Sequence, residues 1–278
     1  TTVNNDKHRY YPLSHRPRKR FGQNFLHDPG IINRIVTVIC PQPGDRLVEI
    51  GPGKGAITLP LLQAVGHLQV VELDRDLVGP LQSRCSGNGE LTVHNADALK
   101  TDFCELSGGD TLRVVGNLPY NISTPLLFHL LAQSGCITDM HFMLQKEVVD
   151  RLAAAPGSGQ YGRLSVMVQY RCRVSPLFSI GPGAFQPPPK VESAFVRLQP
   201  WEVPPVTVRD ETMFGHIVQQ AFGQRRKTLR NSLKTGGFAS EIIEHACQEC
   251  NIDPSRRGET LELKEFVELS NQFGRLSD

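Results

Sequence analysis

The chain has 278 residues, 39% hydrophobic and 21% charged, with a formal net charge of +2. That balance excludes a disordered or highly acidic polymer and suits about two globular domains. No apolar run approaches the roughly 20 residues of a membrane span, and the start lacks the apolar stretch of a signal peptide, so no membrane partner is expected; the chain is read as cytoplasmic and monomeric.

In chain order, residues 1–20 read as a basic arm, with Lys7, Arg9, Arg16, Arg18, Lys19 and Arg20 against one acid, Asp6. Asp28-Pro29 reads as a helix start, an N-cap followed by proline at the first helical position, and the helix IINRIVTVI follows. From Asp45 onward short apolar runs alternate with helical patterns. DRLVEI, LQVVEL, ELTVHNA, TLRVVGN and MHFML are strand candidates; ITLPLLQAV, DLVGPLQSRC, TPLLFHLLAQ and KEVVDRLAA are the helices between them. This alternation predicts an α/β domain, a parallel sheet with helices on both faces. RVSPLFSI and SAFVRLQP are two further strand candidates. The Pro-rich passage at 200–205 marks a boundary, and beyond it FGHIVQQAF, TLRNSL, EIIEHACQEC and LKEFVELSNQF have helical spacing. The expected division is the arm at 1–20, an α/β domain at 21–204 and an all-helical domain at 205–278.

Two features of composition need chemistry. Residues 221–234 carry Arg225, Arg226, Lys227, Arg230 and Lys234 and no acid. A solvated face is one reading; a track for nucleic-acid phosphates is the other, favoured by the second basic cluster in the arm. Of the seven cysteines, Cys247 and Cys250 form the one close pair. They lie in a helical pattern with no further zinc ligands nearby, so free thiols in a reduced compartment and no metal site are expected.

The first strand ends in VEIGPGKGA, placing Gly51, Gly53 and Gly55 on a strand-to-helix turn. Glycines there let backbone pass close under a ligand, but the spacing also fits a dinucleotide fingerprint. Three later features favour S-adenosylmethionine over NAD. Glu72 ends the second strand in VVELD, where a carboxylate can accept hydrogen bonds from both ribose hydroxyls. Asp97 follows the third strand in NADAL, suited to an adenine amine, with the amide of Ala98 beside it as donor; taken alone, Asp97 also reads as a helix cap. The fourth strand leads into Asn117-Leu118-Pro119-Tyr120. All four features fall at carboxyl ends of successive strands, where open α/β sheets bind ligands.

The NLPY turn is the most specific of them. A nucleobase amine is a poor nucleophile because its lone pair is delocalised into the ring. Two acceptors on its two protons, the Asn117 side-chain oxygen and the Leu118 carbonyl, pull the nitrogen toward tetrahedral geometry. Pro119 stiffens the turn and Tyr120 can stack on the base. Such a site works by positioning and preorganised electrostatics. A base in folded RNA must first leave its stack. Phe185, in AFQPPPKVESAF, is the candidate second aromatic face, with a core position as the alternative.

Taken in order, RKRFGQNFLHD, VEIGPGKG, VVELD, NADAL, VVGNLPYNIS, QYGRLSV and FQPPPKVESAFVRL resemble the KsgA/Dim-type small-subunit rRNA adenine dimethyltransferases. The resemblance implies a class I (Rossmann-like) methyltransferase sheet with a small all-helical C-terminal domain. It implies dimethylation of N6 on two adjacent adenines near the 3′ end of small-subunit rRNA, either naked or in a pre-assembled subunit. It implies that Asn24 and Leu26 help enclose the cofactor, that Gly51, Glu72, Asp97 and Asn117 are cofactor-site positions, and that Asn117 also touches the target amine. Three alternatives stay open from sequence: methylation of DNA adenine or of a protein glutamine amide, a binding protein that has lost catalysis, and an NAD enzyme, which would leave NLPY unexplained.

Overall fold

A computed structural model describes residues 23–277; the basic arm expected over 1–20 lies outside them. The chain opens with a two-residue strand, β1 (Phe25–Leu26), and α1 (Pro29–Ile39). Asp28 caps α1 as its sequence predicts, its Oδ1 accepting from the Ile31 amide at 2.9 Å. Then β2 (Leu47–Ile50), α2 (Thr58–Val65), β3 (His67–Val71), α3 (Arg75–Cys85), β4 (Glu90–His94), α4 (Phe103–Ser107), β5 (Leu112–Asn117), α5 (Ser123–Ala132), β6 (Ile137–Gln145) and α6 (Lys146–Leu152) alternate. All four residues of β2 are buried, as befits a central strand of a parallel sheet covered on both faces.

After α7 (Arg163–Arg171) come β7 (Cys172–Ile180), β8 (Phe185–Gln186) and β9 (Ser193–Pro200). The main sheet has seven strands in the order β4-β3-β2-β5-β6-β9-β7. Its first five strands are mutually parallel, and β9 runs antiparallel to both β6 and β7. The order reverses between β2 and β5, so the crevice at their carboxyl ends is the place for a ligand. One face packs Val48, Val114 and Phe142 against Leu126 and Leu130 of α5. The other packs Leu47, Val70 and Met143 against Ile35 of α1 and Leu61 of α2.

Four helices follow: α8 (Glu211–Gly223), α9 (Leu229–Thr235), α10 (Ser240–Glu249) and α11 (Leu263–Ser277). Phe214, Leu233, Ile243, Phe266 and Phe273 build their core, and Tyr161, Val166 and Tyr170 from before the proline-rich passage pack into it. The helical unit therefore shares its core with α7.

The cysteines depart from expectation in one pair. Cys104, in α4, and Cys136, just before β6, form a disulfide with their Cα atoms 5.3 Å apart. They lie 32 residues apart in sequence, so spacing along the chain does not reveal the pair. Cys247 and Cys250 are free thiols, pushed up to about 12 and about 11 by burial.

Candidate active site

A cavity of about 330 Å³ opens at the carboxyl ends of β2, β3, β4 and β5. Its floor is the glycine turn after β2. Gly53 has φ +56°, and a Cβ there would lie 3.0 Å from the Phe25 ring. The turn therefore needs glycine twice over, for its backbone conformation and for the close approach of the N-terminal segment. The Gly53 amide donates to Glu72 Oε2 at 3.2 Å, and the Asp74 amide donates to Glu72 Oε1 at 2.8 Å. The carboxylate thus keeps acceptor capacity for a ligand. Burial raises the Glu72 carboxyl above the ordinary carboxylate range, against the pull of the Asp74, Gly53 and Leu73 amides.

Asp97 sits on the opposite wall with Ala98. Its Oδ1 accepts from the Leu99 amide at 3.0 Å, closing a local turn. It does not cap the next helix: Asp102 does that, accepting from the Glu105 amide at 2.9 Å. The cap alternative for Asp97 is thereby removed, and its Oδ2 remains available to a ligand.

Asn117, Leu118, Pro119 and Tyr120 complete the wall. The Asn117 Nδ2 donates to the backbone oxygen of Asn24 at 3.0 Å. That contact fixes the amide's orientation, because a flipped amide would set two oxygens against each other. The Asn117 Oδ1 is left as an acceptor. Leu118 is 1% exposed and its amide donates to Met143 O. The Pro119 and Tyr120 carbonyls accept from Ile122 N and Ser123 Oγ, whereas that of Leu118 takes no hydrogen bond among the described residues. The Tyr120 hydroxyl lies 2.6 Å from Ser193 Oγ, which tethers the ring at the start of β9. Burial raises its pKa, so the phenol stays neutral.

The N-terminal segment crosses this site as a strap. Gln23 Nε2 donates to Asp74 Oδ2 at 3.0 Å, β1 pairs antiparallel with β8, and His27 N donates to Ala184 O. Gln23, Asn24 and Phe25 line the main cavity; Leu26 does not, and faces the core and a smaller cavity instead. Alternation along even a two-residue strand turns Leu26 away from its neighbour.

Two other expectations change. Phe185 is 2% exposed and packs among Leu26, Ala184 and Phe195 on the sheet face, apart from the cavity wall. As placed it presents no open ring face to a base; β8 holds it against β1. The basic run is also less free than its sequence suggests. Arg225 donates to the carbonyls of Gly159 and Tyr161 at 2.9 and 3.0 Å and lies 3.6 Å from Glu259. Arg230 pairs with Glu244, with Nη2 3.1 Å from Oε2. Arg226 and Lys227 are exposed and carry no ion pair among the described residues.

Sequence reasoning missed Gln23, Phe25 and Leu73 in the wall and the buried carboxyl of Glu49 behind it. Only Glu49 carries a local signal, a lone acid inside a buried strand. Among the described residues no group of three or more His, Cys, Asp or Glu side chains is placed to hold a metal ion, and no helix is long and apolar enough to cross a membrane.

Comparison with known proteins identifies the family. A family model described as ribosomal RNA adenine dimethylase matches residues 14–273. Ribosomal RNA small subunit methyltransferase A of Chromohalobacter salexigens is 56% identical over 265 residues, covering 94% of this chain and 92% of that one. Its namesake from Pseudomonas aeruginosa is 56% identical over 263 residues, covering 94% and 96%. The crystal structure of a dimethyladenosine transferase from Plasmodium falciparum superposes with a TM-score of 0.76 at 26% identity, covering 91% of this chain and 98% of that one. With nearly its whole length matched, the chain belongs to the ribosomal RNA adenine dimethylase family.

Proposed function

We propose that the protein transfers methyl groups from S-adenosylmethionine to the exocyclic N6 of two adjacent adenines near the 3′ end of small-subunit (16S) rRNA. The product is N6,N6-dimethyladenosine, made in the cytoplasm during ribosome biogenesis. The observation that carries this reading is the fixed amide of Asn117. Its nitrogen is committed to Asn24 O, so Oδ1 stands as an acceptor next to the Leu118 carbonyl. Two acceptors suit an amine with two protons to engage. They also suit the second transfer, when one proton remains.

The residues present fit the methyl donor. Glu72 offers two oxygens to a ribose, Asp97 and Ala98 an acceptor and a donor to an adenine, and Gly51 and Gly53 a close backbone floor. When bound, the donor supplies an electrophilic methyl on a sulfonium. The chain's own residues do the rest. Asn117 and Leu118 localise the amine lone pair, Pro119 holds their turn, and Tyr120 offers a ring face whose hydroxyl is anchored on Ser193. To test substrate class, unmethylated small subunits, DNA and protein are offered together with labelled donor. Label is expected in the RNA; label in DNA or protein at equal or greater rate contradicts the proposal.

The RNA path is assigned to Arg226 and Lys227, with Arg225 and Arg230 holding the fold around them. Replacing Arg226 and Lys227 together with Gln is expected to weaken RNA binding and lower its salt slope by about 0.7–0.9 for each phosphate left without its cation, with cofactor affinity unchanged. Replacing Arg225 is expected to lower the melting temperature instead, since it releases the turn at Gly159 and Tyr161. Titration at several salt concentrations decides; wild-type slope and affinity in the double variant would return both cations to an idle face.

A further inference from the structure

The Cys104–Cys136 disulfide closes a stretch of chain that holds β5, the turn at 117–120 and α5. Its two ends are unlike. Cys104 is exposed on α4, whereas Cys136, in the short 3-10 turn Ser134–Cys136 between α5 and β6, is 9% exposed. The crosslink is therefore open to a small thiol from the Cys104 side. In the cytoplasm assigned above, lasting disulfides are rare, and those that form usually serve catalysis or redox sensing. Neither cysteine lines the cofactor cavity, which leaves sensing.

The crosslink sits on a clamp that also holds the Asp97 loop. From α5, His129 donates its Nε2–H to the Thr101 carbonyl at 2.8 Å. Gln133, at the end of that helix, accepts on Oε1 from the Phe103 amide at 2.7 Å. Thr101 in turn donates its hydroxyl to the Asp97 carbonyl at 3.0 Å. Phe103, next to Cys104, is fully buried and meets the His129 ring edge-on, with centroids 6.1 Å apart. Cys136 packs in the same apolar cluster as Phe103, Ala98 and Leu118. The two sulfurs thus join α4, which follows the cofactor wall, to the far end of the helix that begins after the catalytic turn. Without the disulfide, α4 is held there by these hydrogen bonds and this packing alone, and a single hydrogen bond contributes modestly.

We propose that this disulfide is a redox switch on the adenine side of the cofactor site. Oxidised, it fixes the loop bearing Asp97 and Ala98 against α5; reduced, it lets that loop move, and cofactor affinity falls. The inference rests on the S-adenosylmethionine reading of the main pocket. The reductant is a small dithiol. One of its thiolates attacks the exposed Cys104 sulfur and displaces the Cys136 thiolate, which takes a proton. Its second thiolate then attacks the mixed disulfide, which closes the reductant's own disulfide and releases Cys104. Two electrons and two protons pass from the reductant to the protein, which ends with two thiols. A small oxidised disulfide such as glutathione disulfide reverses the exchange and leaves as two thiols.

Calorimetry with S-adenosylhomocysteine tests it, on the protein oxidised with glutathione disulfide and on the same protein reduced with dithiothreitol. Peptide mapping of alkylated samples should show the Cys104–Cys136 link in the first and its loss in the second. Reduction is expected to weaken binding at least about fivefold, the lower end of typical couplings between sites. 5′-Methylthioadenosine, which keeps the adenine and lacks the amino-acid end, should lose affinity by a similar factor. The double variant Cys104→Ser, Cys136→Ser should bind as reduced wild type does and ignore the reductant, with a melting curve to certify its fold; the wild-type comparison stands without it. Equal affinity in both redox states, even with a lower melting temperature on reduction, would make the disulfide a structural staple and overturn the proposal. So would a folded double variant still sensitive to reductant, or an oxidised protein in which the two cysteines do not pair. Failure to bind either probe in either state would instead overturn the cofactor reading, and the proposal with it.

Discussion

Replacing Asn117 with alanine is expected to lower turnover by about 10²–10³-fold, the usual loss for one preorganised hydrogen-bonding group at a reacting centre. Cofactor affinity should stay within a few-fold, because the carboxamide acts chiefly on the amine as its nitrogen becomes tetrahedral. The hydrogen bond to Asn24 sharpens the test. Asn117→Asp keeps an acceptor for the amine but loses the donor to Asn24 O, and it sets an oxygen against that carbonyl. It should therefore also be slow, although it removes no acceptor. Single-turnover rates at saturating donor check both variants. A near wild-type rate for Asn117→Ala would show that the carboxamide does not touch the reacting amine. A fully active Asn117→Asp would show that its orientation by the strap does not matter.

Replacing Glu72 with alanine should have the second largest effect, a loss of cofactor affinity of tenfold or more. Hydrogen bonds to a charged group contribute about 1.5–3 kcal/mol each, and the proposed role of Glu72 is to accept from ribose hydroxyls. The same oxygens hold the Gly53 and Asp74 amides, so the floor of the pocket loosens as well. Glu72→Gln separates the two effects. It keeps one acceptor for the backbone and should lose less affinity than alanine. Calorimetry with S-adenosylhomocysteine, beside a melting curve of each variant, checks this. An unchanged dissociation constant in Glu72→Ala would make Glu72 a structural residue.

Much of this site is legible in sequence because it sits where period and turn chemistry are strong. Parallel strands buried on both faces read as apolar runs, so β2 to β6 and the turns at Gly51, Glu72, Asp97 and Asn117 fall out in register. What stays hidden depends on distance across the fold. β1 and β8 hold two residues each, too few for any period, yet their pairing brings Asn24 to Asn117. The place of β9 between β6 and β7 is a matter of strand order, which local pattern does not encode. Residues 221–234 contain no acid, but Glu244 and Glu259 reach Arg230 and Arg225 from the next elements. Phe185 lies in a motif whose composition is equally suited to a core ring or a stacking face, and its packing beside Phe195 is a contact across the fold that composition does not encode.

The central claim is methyl transfer to adenine N6 in small-subunit rRNA, and mapping the product tests it most directly. The protein is incubated with S-adenosylmethionine and unmethylated small subunits, the rRNA is digested, and the modified nucleotides are located by mass spectrometry. The expected result is N6,N6-dimethyladenosine at two adjacent positions near the 3′ end, absent when the Asn117→Ala variant is used under the same single-turnover conditions. Methylation at another base or another atom, or an rRNA left unmodified by a protein that binds the cofactor, would contradict the account.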